Sequence, residues 1–276
     1  MGRDTVEGKA INRNSIWGYI LKLLVNGIIQ SDIANLPYSD ALIRGDGLFE
    51  TILAIDDKPI ALDRHLVRLE KSAIKLLITL PAEIDIRVGI SNLLQGQIGQ
   101  SKVRLVVLSD GNWFISSEEL SKPAQEISLT KFSERVDSKN GLVGVKSISY
   151  GLSLLAVRKA AQMGFDDSIF VNEKGFVVET GFSNLLILNG STWQTPALST
   201  GCLPGITREL LLKWFDIEEI EITFEQLLEA KALFVTSSLR LIQPVKRVED
   251  KLFNENLLGI DLINQFKAKL FSNINP

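Results

Sequence analysis

The chain has 276 residues, 45% hydrophobic and 23% charged, with 30 Lys+Arg against 33 Asp+Glu for a formal net charge of −3. That length can bury a substantial core in one or two domains, and the slightly acidic balance excludes the global positive field that holds nucleic acid or an anionic membrane. One cysteine, Cys202, and one histidine, His65, exclude an internal disulfide and a structural zinc cluster, and with no G-x-S-x-G elbow a Ser-His-Asp triad finds no support.

In chain order, residues 1–14 read as a polar, mobile leader whose mix of Arg3, Asp4, Glu7 and Lys9 does not form a secretory signal. The apolar stretch that follows, residues 16–29, contains Lys22 and Asn26 and is shorter than the about 20 apolar residues a bilayer span takes. It reads as a first strand over 21–29, and a cytoplasmic location is the default expectation. A second strand is expected over 48–55. Next, Leu62, Leu66, Leu69, Ala73, Leu76 and Leu77 recur at helical spacing while Arg64, Arg68, Lys71 and Lys75 take other positions, and Pro81 stops the pattern. A valine- and leucine-rich strand over 103–108 closes at Asp110-Gly111-Asn112.

The polar, proline-terminated stretch from Ser116 to Pro123 is the candidate linker. It divides the chain into a leader (1–14), a small α+β domain (15–118), a linker (119–124) and a larger domain (125–276). In the second part, strands are expected near 126–130, 167–171, 185–188 and 232–236, with helices near 153–162 and after Pro204.

Four segments differ from ordinary core or surface. Two glycines around Asp46 in RGDGLFET (44–51) make a tight turn feeding a strand. In GVKSISY (144–150), Lys146 sits among apolar neighbours, where it either snorkels to water or has a lowered pKa. In GFVVETGFSNLLIL (175–188), Glu179 ends an apolar run and opens a small polar turn, which suits a carboxylate aimed at a bound cation or a solvated strand end. In STGCLPGITREL (199–210), a Gly/Pro-rich loop enters a helix and presents backbone N–H groups at its positive end, as a phosphate site requires. No Lys-Ser or Lys-Thr pair follows, and G-x-G-x-x-G is missing from the chain, so neither a nucleotide P-loop nor dinucleotide binding is supported.

Together with the helix DRHLVRLEKSA and the run FVTSSLRLIQPV, these pieces make residues 24–248 resemble the fold-type IV pyridoxal-phosphate enzymes, which include branched-chain and D-amino-acid aminotransferases and aminodeoxychorismate lyase. The resemblance implies an α+β fold in two parts: a small N-terminal α+β domain and a larger, α/β-barrel-like C-terminal domain. The cofactor, pyridoxal 5'-phosphate, would lie between them, usually in a homodimer. It implies that Lys146 forms the Schiff base with pyridoxal phosphate and moves the substrate proton, and that Glu179 faces the pyridine nitrogen. Arg68, on the polar face of the expected helix, would clamp the phosphate together with the backbone N–H groups of Ile206 and Thr207 and the hydroxyl of Ser238. Tyr150 would lie near the cofactor ring. His65 is read as packing beside Arg68 and Cys202 as packing in the phosphate loop. A non-catalytic relative is disfavoured because Lys146, Glu179, Arg68 and the Ile206-Thr207 pair are all present.

Within that group, Leu53 stands where branched-chain aminotransferases carry an arginine, and the Arg-Gly turn of D-amino-acid aminotransferases is replaced by Ser109-Asp110-Gly111-Asn112. Thr51 matches the threonine that aminodeoxychorismate lyases place near the leaving group. The implied activity is a lyase that converts 4-amino-4-deoxychorismate to 4-aminobenzoate and pyruvate in folate biosynthesis, the alternative being an aminotransferase acting on D-amino or branched-chain acids. The arginines that some of these lyases use for the dicarboxylate are missing at the matching positions, and Arg104, Arg208 and Arg240 are the candidate replacements.

Overall fold

The computed structural model describes residues 22–30, 38–122, 124–254 and 256–276, so the leader expected over 1–14 lies outside the described residues. β1 (Lys22–Val25) turns at Asn26-Gly27 into β2 (Ile28–Gln30). Both turn residues have positive φ, 47° and 83°, the geometry that makes Asn-Gly the favoured two-residue hairpin loop. The single strand expected over 21–29 is thus a hairpin, because the apolar run conceals its own turn signal.

Helix α1 (Asp40–Arg44) is capped by the Ser39 side chain and closed by Gly45 at φ 69°. It feeds β3 (Gly47–Ile55) and the short β4 (Lys58–Pro59). Helices α2 (Leu62–Leu76) and α3 (Glu83–Leu94) follow, then β5 (Gln100–Leu108) and β6 (Trp113–Glu119). The six strands form an antiparallel sheet in the order β2-β1-β6-β5-β3-β4. Helix α2 ends before Pro81: Leu77 takes φ 58° and its N–H bonds back to the carbonyls of Ala73 and Ile74, a left-handed cap made by a leucine.

The polar residues from Ser116 to Glu119, read as the start of a linker, are strand. β6 pairs with β5 from Ser101↔Glu119 to Val107↔Trp113 and with β1 on its other edge, so pairing on both sides overrides polar composition. Leu48, Ile52, Val103, Leu105 and Ile115 of this sheet pack with Leu66 and Leu69 of α2 and Ile86, Ile90 and Leu93 of α3 into one core.

The rest of the chain builds a larger mixed sheet. Its elements are β7 (Ile127–Val136), α4 (Gly151–Gln162), β8 (Asp167–Asn172), β9 (Val177–Thr180), β10 (Asn184–Asn189), β11 (Thr192–Pro196), α5 (Ile206–Trp214), β12 (Ile217–Ile220), α6 (Phe224–Glu229), β13 (Ala232–Ser237), β14 (Leu241–Val248), β15 (Lys251–Leu252) and α7 (Ile260–Ser272). The order is β12-β11-β10-β13-β14-β7-β8-β9, with β15 added at β14. The pairs β11/β12, β14/β7 and β7/β8 are parallel.

Near-continuous apolar runs such as Leu185–Leu188 and Ala232–Val235 are buried on both faces. One face packs on α5 and α7 through Leu186, Phe234, Leu210 and Phe266. The other closes over Ile169, Val171, Leu185, Val235 and Leu227 of α6. The fold is α+β, two sheets with helices against each, as the resemblance implied. Among the described residues no helix is long and apolar enough to cross a membrane.

Candidate active site

A cavity of about 670 Å³ lies where the two sheets face each other, lined by Phe49, Thr51 and Arg104 from the first sheet and by Lys146, Glu179 and Arg240 from the rest of the chain. Period-two alternation decides which residues of β3 reach it. Phe49 and Thr51 look into the cavity, whereas Leu48 and Ile52 join the core under α2. Leu53, next on the cavity side, is packed with Ile60, Ile206 and Leu210 and places no charge there.

Lys146 is delivered by a loop docked on the start of β3. Phe49 N donates to Lys146 O at 2.9 Å, Ile148 N donates to Gly47 O at 3.0 Å, and Leu48 and Ser147 form an isolated bridge. Gly47 is required at this junction, since a Cβ there would sit 2.6 Å from Val107 O. Lys146 Nζ lies 4.2 Å from the centre of the Phe49 ring and 3.3 Å from the Tyr150 hydroxyl. Burial, joined by the charge of Arg68, brings its pKa down to about 8. Of the two readings of this lysine, lowered basicity is the one the surroundings produce.

Glu179 is the penultimate residue of β9, and Asn184 begins β10 after the intervening turn. Its Oε2 accepts from Leu203 N at 3.2 Å and from Asn184 Nδ2 at 3.1 Å, and Asn184 Nδ2 also donates to Leu203 O at 2.9 Å. Burial outweighs these donors and pushes the carboxyl up to about 7. A positively charged N–H brought against it would return it to the ionised form.

Just beyond Leu203, α5 starts at Ile206 with Gly205 as its N-cap and no side-chain cap, leaving the first-turn N–H groups without a capping oxygen. Gly205 and Ile206 line the cavity, while Thr207 lies behind them and shares a small void with Leu53, His65 and Ser238. Ser238 Oγ lies 3.4 Å from His65 Nε2 and also faces the cavity.

Arg68 is not on a polar face, as the helical pattern suggested, but buried against the first sheet. Burial is tolerated because Glu50 of β3 takes Arg68 Nε at 2.9 Å and Nη2 at 2.6 Å, while Arg68 Nη1 donates to Pro204 O at 3.0 Å. His65 is buried as well, with Nδ1 2.7 Å from Glu50 Oε2.

Of the arginines offered for substrate, Arg104 and Arg240 line the cavity. Arg104 on β5 is the cross-strand partner of Thr51, and Arg240 holds Gln243 Oε1 at 3.1 Å. Arg208 does not belong with them. It turns to the far side of α5, where Nη2 donates to Pro196 O at 2.8 Å and pairs with Glu219.

Two functional residues escaped the sequence reading, Glu50 and Asn184. A lone carboxylate in the otherwise apolar and neutral strand 48–55 was the available signal for the first; nothing marked the second. Cys202 is buried with Phe132, Ala156, Phe170 and Val178, and burial pushes its thiol up to about 12, so it packs and is poorly ionised.

The donor set fits pyridoxal phosphate. An amine of lowered basicity, a buried carboxylate for a ring N–H, and a guanidinium beside an uncapped helix start for a phosphate all open on one cavity. The hydroxyls of Ser183 and Thr236, buried and without a partner among the described residues, line it too.

Comparison with known proteins agrees. The family model for amino-transferase class IV matches residues 47–248. A Methanocaldococcus jannaschii protein named "Putative branched-chain-amino-acid aminotransferase" is 29% identical over 90% of this chain and 95% of its own length. The aminodeoxychorismate lyase of Bacillus subtilis is 25% identical over 83% of this chain and 87% of its own. Among solved structures, a fold IV-transaminase from Curtobacterium pusillum superposes with a TM-score of 0.81 at 24% identity, covering 92% of this chain and all of that one.

Proposed function

Because the chain belongs to the class IV aminotransferase family, whose enzymes use pyridoxal phosphate, we propose that it is an aminodeoxychorismate lyase, converting 4-amino-4-deoxychorismate to 4-aminobenzoate and pyruvate. The observation that carries this reading is the pairing of Thr51 with Arg104 across β3 and β5, both on the cavity that Lys146 enters, with apolar Leu53 next on the same face. A hydroxyl beside a cation suits a leaving group that departs carrying a carboxylate. Arg240 supplies a second cation for the other carboxylate of the substrate.

Pyridoxal phosphate held in the cavity would supply an aldehyde for the substrate amine and a ring that withdraws electrons from the amine-bearing carbon. Lys146 Nζ, with its pKa brought down to about 8, is the base that removes the proton from that carbon. Thr51 Oγ1 assists protonation of the departing enolpyruvyl group. Glu179 would hold the ring N–H, while Arg68, the Ile206 and Thr207 N–H groups and Ser238 would hold the phosphate. The apolar wall of Phe49, Val106, Phe114 and Ile148 limits water around the reacting carbon. The same reading places the enzyme in folate biosynthesis as a cytoplasmic homodimer.

The second reading is an aminotransferase acting on D-amino or branched-chain acids, and the name of the Methanocaldococcus jannaschii relative favours its branched-chain form. A product assay separates the two. Purified protein with pyridoxal phosphate is given 4-amino-4-deoxychorismate and, separately, amino-donor and keto-acid pairs, with Lys146→Ala as the blank. Release of 4-aminobenzoate with equimolar pyruvate is expected. Fast transamination without 4-aminobenzoate would overturn the lyase reading.

A further inference from the structure

We propose that Glu50 is the positioning residue for the anion-binding end of the cavity. Its one carboxylate fixes the Arg68 guanidinium, and with it the turn before α5, for the cofactor phosphate, and holds the His65 ring beside them. This rests on the reading of Arg68 as a phosphate ligand.

Glu50 is an even-numbered residue of β3 and so points at α2, away from the substrate. Its Oε1 accepts from Arg68 Nε at 2.9 Å; its Oε2 accepts from Arg68 Nη2 at 2.6 Å and from His65 Nδ1 at 2.7 Å. The two-pronged Arg68 contact fixes the plane of the guanidinium as well as its place. The pair of Glu50 and His65 is closed to water, each 1% exposed.

Burial alone would raise the Glu50 carboxyl, but Arg68 and His65 overcome it and hold the group down at about 2. An ionised carboxylate has no proton to give, so the proton of the imidazole sits on Nδ1. Burial keeps the ring below its ordinary pKa, hence neutral, and Nε2 is left as an acceptor facing Ser238 Oγ at 3.4 Å. That contact is too long to hold the serine hydroxyl, whose single proton is free to turn from Nε2 to an anionic oxygen. Arg68 Nη1, bonded to Pro204 O, ties the same assembly to the turn preceding Gly205 and α5. The charged arm and the helix-start arm are thus referenced to a single side chain that does not line the cavity.

The test uses the full 276-residue chain freed of cofactor by hydroxylamine. It is titrated with pyridoxal phosphate and with pyridoxal, which lacks the phosphate, and Schiff-base absorbance is the readout. Glu50→Gln is expected to weaken pyridoxal phosphate by about tenfold or more and to leave pyridoxal within about twofold, since the lost contacts are charge-assisted and serve the phosphate. Parallel weakening of both ligands, or of neither, overturns the proposal. Arg68→Met run alongside separates this from the underlying reading: if it too fails to discriminate the ligands, the phosphate assignment is what falls. Should Glu50→Gln not fold, Glu50→Asp decides the matter. That variant keeps the charge but shortens its reach to Arg68, so it must weaken pyridoxal phosphate more than pyridoxal, and equal losses of the two ligands overturn the proposal.

Discussion

Gly205→Ala probes how tightly the helix start and the Glu179 carboxylate are joined. The backbone of Gly205, at φ −70° and ψ 140°, is one any residue adopts, so the substitution brings no conformational strain. Its effect is steric: the new Cβ would lie 1.9 Å from Asn184 Oδ1, forcing that side chain away. Asn184 Nδ2 would then lose Glu179 Oε2 and Leu203 O, now at 3.1 and 2.9 Å. A neutral hydrogen bond is worth about 1 kcal/mol net and one to a carboxylate about 1.5–3 kcal/mol. With Glu179 titrating near 7 the low end applies to the second, and the expected cost is about 2.5 kcal/mol. Urea unfolding followed by far-UV circular dichroism measures it as a fall in midpoint at constant m. The reasoning also requires that Gly205→Ala cost much less in an Asn184→Ala background, where the obstructing side chain is gone. An equal cost in both backgrounds, or a cost below about 0.5 kcal/mol in the native one, would refute it.

Two further outcomes follow from the site. Arg104→Met is expected to raise KM for the substrate by about tenfold with stability nearly unchanged, whereas Arg208→Met, which takes the guanidinium donor from the buried Pro196 O while Glu219 stays exposed to water, is expected to cost about 1–3 kcal/mol and leave KM alone; steady-state kinetics paired with urea melts tell them apart, and the reverse pattern would return Arg208 to the substrate. Glu179, with a folded pKa near 7 against an ordinary 4.5, binds its proton more tightly in the native state, so its contribution makes the cofactor-free protein less stable as pH rises from about 4.5 to about 7. Glu179→Gln should flatten that part of the urea-midpoint profile, and an unchanged profile would remove the carboxylate as its source.

What the sequence made legible is what rests on local pattern. The periodicity from Leu62 to Leu76, the Gly/Pro loop before Ile206 and the apolar runs of β8, β10 and β13 all became the elements they suggested. Local pattern failed where a distant partner decides. Arg68 looks solvent-facing on a helical projection and is buried because Glu50, 18 residues earlier, neutralises it. Ser116 to Glu119 look like a linker and are strand because β5 pairs with all four and β1 with Ser116 and Ser117 on the other edge. Arg208 reads as one more basic residue near the phosphate loop, and only its pairing with Pro196 O and Glu219 shows that it faces away. Asn184 is one polar residue among several in a turn until Glu179 and Leu203 converge on it.

The alternation of β3 has a consequence for how this cavity can change. Odd-numbered Phe49 and Thr51 line the cavity while even-numbered Glu50 holds Arg68, so the two jobs are separated by parity alone. Nine consecutive rungs, from Gly47↔Leu108 to Ile55↔Gln100, keep that parity. Inserting or deleting one residue ahead of the strand would exchange the faces, turning a carboxylate into the cavity and burying an aromatic ring against α2. Substitutions along β3 can therefore alter substrate preference one position at a time, whereas single-residue changes in its length would disable cofactor and substrate contacts together.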